Sequence, residues 1–284
     1  MQEKDRRIET IVLAVSFVVL VAANALGEIF KFGGVTAADV SNEVFAWFAP
    51  AGYVFSIWSV IYIGLAVWIV RLIKDEGADQ GFAGLPIGIE AVLFAVSCVL
   101  NIAWLALWHL KVFAATIPVI IALLVVVAIL YLLTWQRSES PLDRIPPAIY
   151  ASWLAVATVA NIAHVATRAA TADAGIAPAL STIILLLIFV GLAFAIRRVF
   201  NDYVFGIVVA WAGIGIGVRL VEVSPLVGVI AILISTIGVA AALLPWDRLI
   251  ASSRGNQRSS RASRTPRSSR MSRSSRSPRP RRPR

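Results

Sequence analysis

Residues 113–135 read FAATIPVIIALLVVVAILYLLTW, a stretch with no charged side chain and apolar groups at nearly every position. A helix that is apolar all round has no face to offer water, and about 20 such residues cross a hydrocarbon core of roughly 30 Å. Seven further apolar runs of comparable length surround it: 8–30, 52–73, 86–110, 146–167, 178–196, 203–221 and 225–244. Eight crossings are therefore expected, in an all-α integral membrane protein. Pro86, Pro146, Pro178 and Pro225 stand where helices should begin, because a proline there gives up an N–H that has no helical partner anyway. Ala23-Asn24-Ala25 has the form of a signal-peptidase site, but the run before it is long enough to span, so a retained first helix is expected.

The composition agrees with this reading. Of the 284 residues 59% are hydrophobic and 15% charged, too little charge to cover a soluble domain of this length. The net charge of +10 is concentrated at one end: twelve of the 26 basic residues follow Ser253 and no acidic residue does, so residues 1–253 carry a net charge of −2. Residues 248–284 read as a disordered Arg/Ser-rich tail with almost nothing to bury. Beside a membrane it would attract anionic lipid headgroups, whereas nucleic-acid binding has no structured reader to support it. In the short links, nine lysines and arginines fall on one side (Lys4, Arg6, Arg7, Arg71, Lys74, Arg137, Arg144, Arg197, Arg198) and four on the other (Lys31, Lys111, Arg168, Arg219). The positive-inside rule then places both termini in the cytoplasm of a multi-pass cell-membrane protein.

The link after the first crossing carries its own signal. Thr36-Ala37-Ala38-Asp39 has the form of a helix cap, and Val40, Val44, Trp47 and Phe48 recur on one face of the short amphipathic helix it would start. Inside the crossings, polar and aromatic groups form stripes. Glu90, Phe94, Ser97, Asn101, Trp104 and Trp108 follow one another three or four residues apart, as do Tyr150, Trp153, Ala157, Asn161 and His164. Phe55, Trp58 and Tyr62 align along the second crossing, and Asn24 is placed to join them from the first. Two readings of these stripes stand side by side. The asparagines bond across helices while Trp108, Trp135 and Trp246 mark the membrane interfaces, or the indoles line a pocket for a flat apolar ligand. For Glu90 the alternative to a place on the inward stripe is a solvated position at headgroup level.

Three stretches in order are similar to one family. Pro50-Ala51-Gly52-Tyr53-Val54-Phe55-Ser56-Ile57-Trp58-Ser59-Val60-Ile61-Tyr62 resembles the second-helix signature of the TspO/translocator-protein family, the tryptophan-rich sensory proteins. Leu100-Asn101-Ile102-Ala103-Trp104 resembles its third-helix motif, and Tyr150 to Asn161 its fifth-helix pattern of Tyr, Trp, Ala-Thr and Asn. The resemblance covers residues 8–170 and implies a TspO-like five-helix core over residues 1–170, with three additional transmembrane helices over residues 171–247. It implies a ligand cavity among Tyr53, Phe55, Trp58, Tyr62, Asn101, Trp104, Trp153, Ala157 and Asn161, with Trp47 and Pro50 in a lid. Ala51 replaces the family's second proline, Tyr53 stands where tryptophan is usual, and no sterol-type motif follows the fifth helix. The implied function is a membrane sensor or binding protein for a porphyrin or other tetrapyrrole, with porphyrin or haem as ligand and no cofactor required. A transporter of such a molecule is the alternative, and a tetrapyrrole-modifying enzyme ranks third, since two histidines and one cysteine offer no nucleophile–base set. A homodimer is implied by analogy alone. Gly213 and Gly217 form a Gly-x-x-x-Gly in the seventh crossing, expected to be an ordinary packing face within the chain.

Overall fold

A computed structural model describes residues 3–31, 34–74, 87–170 and 176–244. The expected helix start at Pro86, the interface role of Trp246 and the character of the basic tail lie outside the described residues. The elements in chain order are α1 (Glu3–Phe30), α2 (Ala37–Asn42), α3 (Ile57–Lys74), α4 (Ile89–His109), α5 (Phe113–Arg137) and α6 (Pro141–Ala169). They continue with α7 (Ala177–Phe200), α8 (Val204–Val221), α9 (Pro225–Leu233) and α10 (Val239–Leu243). A single wide turn, Ile234–Gly238, joins α9 and α10 into the last crossing, and a tight turn, Gly52–Ser56, leads into α3. Among the described residues, eight helices are long and apolar enough to cross a membrane. Exposed Ile63, Val99 and Ile188 show the kind of apolar outer surface that meets lipid.

One expected boundary is wrong. The fifth crossing begins at Pro141, not Pro146, so Pro146 and Pro147 lie inside α6. Ser140 has the extended backbone of a cap, and Pro141 supplies a pre-set φ at the first helical position. Asp143, in the first turn, is held by the Arg71 guanidinium and accepts a hydrogen bond from Ser138 Oγ at 2.6 Å. These polar contacts hold the early start, and the N–H groups that Pro146 and Pro147 lack are lost near the end of the helix.

α2 is shorter than its pattern suggested. The capping box forms, with Thr36 Oγ1 accepting from Asp39 N–H at 3.0 Å and Asp39 Oδ2 accepting from Thr36 N–H at 2.9 Å. The helix then stops at Asn42 rather than running through Phe48. Ala46, Phe48, Ala49 and Pro50 are all buried. A helical stripe cannot bury so many near-consecutive positions, but an irregular strap lodged between helices can.

All eight crossings belong to one compact unit, Met1–Leu243. α1 packs on α3 and α4, α4 on α5, and α5 on α6, while α6 also meets α3 and α8. α8 in turn packs on α7 and α9. A continuous apolar core, with Ile61, Phe94, Leu123 and Leu154 on one side and Phe189, Val208 and Ile216 on the other, runs through both groups of helices.

Candidate functional site: an aromatic cluster beneath a strapped loop

Two chains of side-chain hydrogen bonds run through the middle of the bundle. Asn24 Nδ2 on α1 donates to Asn101 Oδ1 on α4 at 3.0 Å, and Asn101 Nδ2 donates to Tyr150 Oη on α6 at 3.3 Å. Nearer the loop, Trp104 Nε1 donates to Asn161 Oδ1 at 2.8 Å, and Asn161 Nδ2 donates to Thr116 Oγ1 on α5 at 2.8 Å. Asn101 and Asn161 are 1% and 3% exposed. Both asparagines therefore bond across helices as the first of the two readings holds, each with its amide donor and acceptor partnered in an apolar medium.

The aromatic residues on the same faces form a second cluster. Trp58 stacks on Tyr62 at 5.7 Å and meets Tyr150 at 6.1 Å and Trp153 at 6.3 Å, while Phe55 meets Trp153 edge-on at 6.1 Å. Here two polar groups are not satisfied. Trp153 is 2% exposed and its Nε1–H has no hydrogen-bond partner, and the buried Tyr62 hydroxyl has none either. A buried donor without an acceptor costs free energy, about 1–3 kcal/mol each. Two of them on one aromatic surface mark a place where a polar partner from outside the chain would be stabilised.

The remaining expected site residues divide between the two clusters and the loop. Ala157 lies half-buried on α6 against the core, and Trp104 stacks on Trp108 at 5.5 Å. Tyr53 is set apart: it is 47% exposed and meets Trp211 of α8 edge-on at 5.5 Å. Trp47 meets Phe45 at 5.8 Å, and Pro50 is buried against α8 beside Gly215. Two open apolar grooves lie elsewhere: about 500 Å³ between α1 and α4, and about 420 Å³ between α3, α6 and α8. Among the described residues no group of three His, Cys, Asp or Glu side chains is placed to hold a metal ion.

Trp108 departs from expectation, and Glu90 takes the inward of its two places. Trp108 is 4% exposed and is no interface marker: its Nε1 donates to the Ala37 carbonyl at 3.1 Å, fastening α2 to α4. Glu90 is 5% exposed, paired with Arg137 at 2.6 Å and accepting from Thr134 Oγ1 at 2.6 Å, rather than solvated at headgroup level.

The loop from Thr36 to Ser56 is strapped down on two sides. Toward the five-helix side, Glu43 pairs with Lys111 at 2.5 Å and Arg168 at 3.0 Å. Toward the last three helices, Ala51 N–H donates to the Gly215 carbonyl at 3.0 Å, Trp211 Nε1 to the Val54 carbonyl at 3.2 Å, and Arg219 Nη2 to the Val44 carbonyl at 3.4 Å. Phe48 stacks on Phe189 of α7 at 6.0 Å. Gly215 is what allows the approach, since a Cβ there would lie 2.1 Å from Val54 Cγ2. Residues two apart face opposite sides of a helix, so Gly213 and Gly217 turn away from the loop and onto the last crossing. The holding roles of Trp211, Gly215 and Phe189 left no sequence signal, because a helix's apolar pattern does not say which neighbour it meets. Arg219, which by spacing alone would pair with Glu222, instead reaches the loop.

The Lys111 ammonium, hydrogen-bonded to Glu43, holds that carboxyl below the usual carboxylate range against the opposing effect of burial, with Arg168 adding to it. A depressed folded-state value means the strap's contribution is complete above the ordinary carboxylate range and is lost as pH falls through the lowered value. Amide protection across residues 34–51, the exchange rate corrected for its intrinsic dependence on pH, is expected to hold from neutral pH down to about 5 and to fall as pH drops further through the lowered value. Glu43→Gln should already be less protected at neutral pH and change little on acidification; an identical protection profile in both would refute the assignment.

A family model described as TSPO-like protein matches residues 10–244. The chain belongs to the TSPO-like family. The match runs past residue 170, where the resemblance carried by the three motifs ends, and takes in the last three crossings of this TSPO-like protein as well as the first five. No curated protein and no solved structure matches the chain.

Proposed function

We propose that this TSPO-like protein is a membrane sensor or binding protein for a flat, largely apolar ligand of the porphyrin type, held against Trp58, Tyr62, Tyr150 and Trp153 beneath the strapped loop. The observation that supports this reading is the pair of buried, partnerless donors, Trp153 Nε1 and Tyr62 Oη, within an aromatic cluster. Indole faces offer dispersion and stacking to a flat ring system, and two fixed donors orient its polar atoms. The same proposal puts the protein in the cell membrane with both termini cytoplasmic, so that the loop faces the opposite side.

Titration of the detergent-purified chain with protoporphyrin IX, followed by tryptophan quenching, tests it. Saturable binding is expected, weakened about tenfold in Trp153→Phe and severalfold in Tyr62→Phe, the worth of one hydrogen bond in each. Unchanged affinity in both folded variants would refute the assigned site.

A further inference from the structure

Three basic residues from three different elements converge on two consecutive residues of the loop. Lys111, in the turn after α4, and Arg168, at the end of α6, both pair with the Glu43 carboxylate. Arg219, near the end of α8, reaches the Val44 carbonyl and lies over the Phe45 ring at 5.3 Å. Lys111 and Arg168 share the Glu43 carboxylate, while Glu222 acts on Arg219 through space. Arg219 Nη1 is buried with no partner. His164, 1% exposed, is wedged between Trp108 at 4.8 Å and Phe113 at 5.0 Å.

A guanidinium that keeps a buried N–H without an acceptor is poised for one, and the planar acceptor it matches is a carboxylate. Lys111 and Arg168 keep 46% and 34% of their side-chain surface exposed, so both can be reached from outside. Ion pairs at such exposure contribute little to stability, so Glu43 is easily displaced.

We propose that Lys111, Arg168 and Arg219 form a carboxylate subsite, which Glu43 occupies as an internal stand-in until an acidic ligand displaces it. This rests on the proposed binding at the aromatic cluster and specifies it: the ligand is a flat apolar body with at least one peripheral carboxylate. Its acid group takes the cations at the rim while its ring system lies against the indoles. Displacing Glu43 removes the loop's two ion pairs to the five-helix side, so ligand entry loosens the loop around Glu43, while Trp108 still holds Ala37 and the contacts to Gly215 and Trp211 hold the other side.

Protoporphyrin IX and its uncharged dimethyl ester separate the acid group from the ring system. Both are titrated against the full chain in detergent and against Glu43→Gln, Arg168→Gln and Arg219→Gln, with Arg168→Lys as a milder replacement. The wild type should bind the acid more tightly than the ester. Glu43→Gln should tighten acid binding about fivefold, and the arginine-to-glutamine variants should weaken it by a similar factor, with the ester unchanged throughout. Equal binding of acid and ester in every folded variant would overturn the subsite and leave the aromatic-cluster site standing. Saturable binding of neither would overturn the cluster site and the subsite together.

Discussion

Gly217→Val is expected to unfold or expel the last crossing. A Cβ at Gly217 would lie 2.5 Å from Ile232 Cγ1, 2.8 Å from the Gly228 carbonyl oxygen and 3.0 Å from the Ile232 amide nitrogen. Two of these three neighbours are backbone atoms, which cannot turn aside as a side-chain tip can. The alternative is for α8 and α9 to separate, which forfeits the packing that drives helix association where lipid is as apolar as the helix itself. Overpacking of this kind costs about 1–3 kcal/mol, and a valine against backbone belongs at the upper end. The check is thermal unfolding in detergent beside Gly191→Val, because a Cβ at Gly191 meets nothing within 4 Å. A Gly217→Val protein as stable as the Gly191→Val control would show that α8 and α9 do not pack as described. Because α8 also carries Gly215 and Trp211, the Gly217 variant should in addition loosen the loop, seen as faster hydrogen exchange around Val54.

Glu90→Ala is expected to be comparably damaging for an electrostatic reason. Glu90 is buried, and its carboxylate accepts from Thr134 Oγ1 and pairs with Arg137, whose side chain is 18% exposed. Removing the carboxylate takes from a largely buried guanidinium its directly paired charge, with Asp143 acting on it through space, a change that costs up to about 3–5 kcal/mol when one member of a buried pair is deleted. Replacing both members by apolar residues of similar size, Glu90→Leu with Arg137→Met, should recover much of the loss, since the pair itself adds little beyond offsetting its own desolvation. A single variant as stable as wild type, or a double variant no better than the single, would contradict this account.

The carboxylate was visible in the sequence and its partner was not. Glu90 stands on a stripe with Asn101 and Trp104, which marked α4 as a helix turned toward the bundle. Nothing in that stripe pointed to Arg137, 47 residues further on, because a helical period reports which residues share a face and not what the face meets. Trp108 shows the same limit. Its place at a helix end suggested an interface marker, but α2, Phe113 and His164 pack over it.

By itself the sequence determined the eight crossings, the capped helix α2, the faces that turn inward and the family motifs in the second, third and fifth crossings. These follow from local chemistry: apolar length against bilayer thickness, helical spacing and the hydrogen-bonding needs of a helix start. Only the tertiary structure decided that α6 begins at Pro141, that the asparagines bond to one another's helices, and that Trp153 and Tyr62 are left with bare donors. It also decided that α7 and α8 hold the first loop against the bundle. That last arrangement joins Ala51 to Gly215 and Val44 to Arg219, across more than 160 residues of chain. Contacts over such separations depend on which helices become neighbours, and the side chains of a single helix, read alone, do not contain that choice.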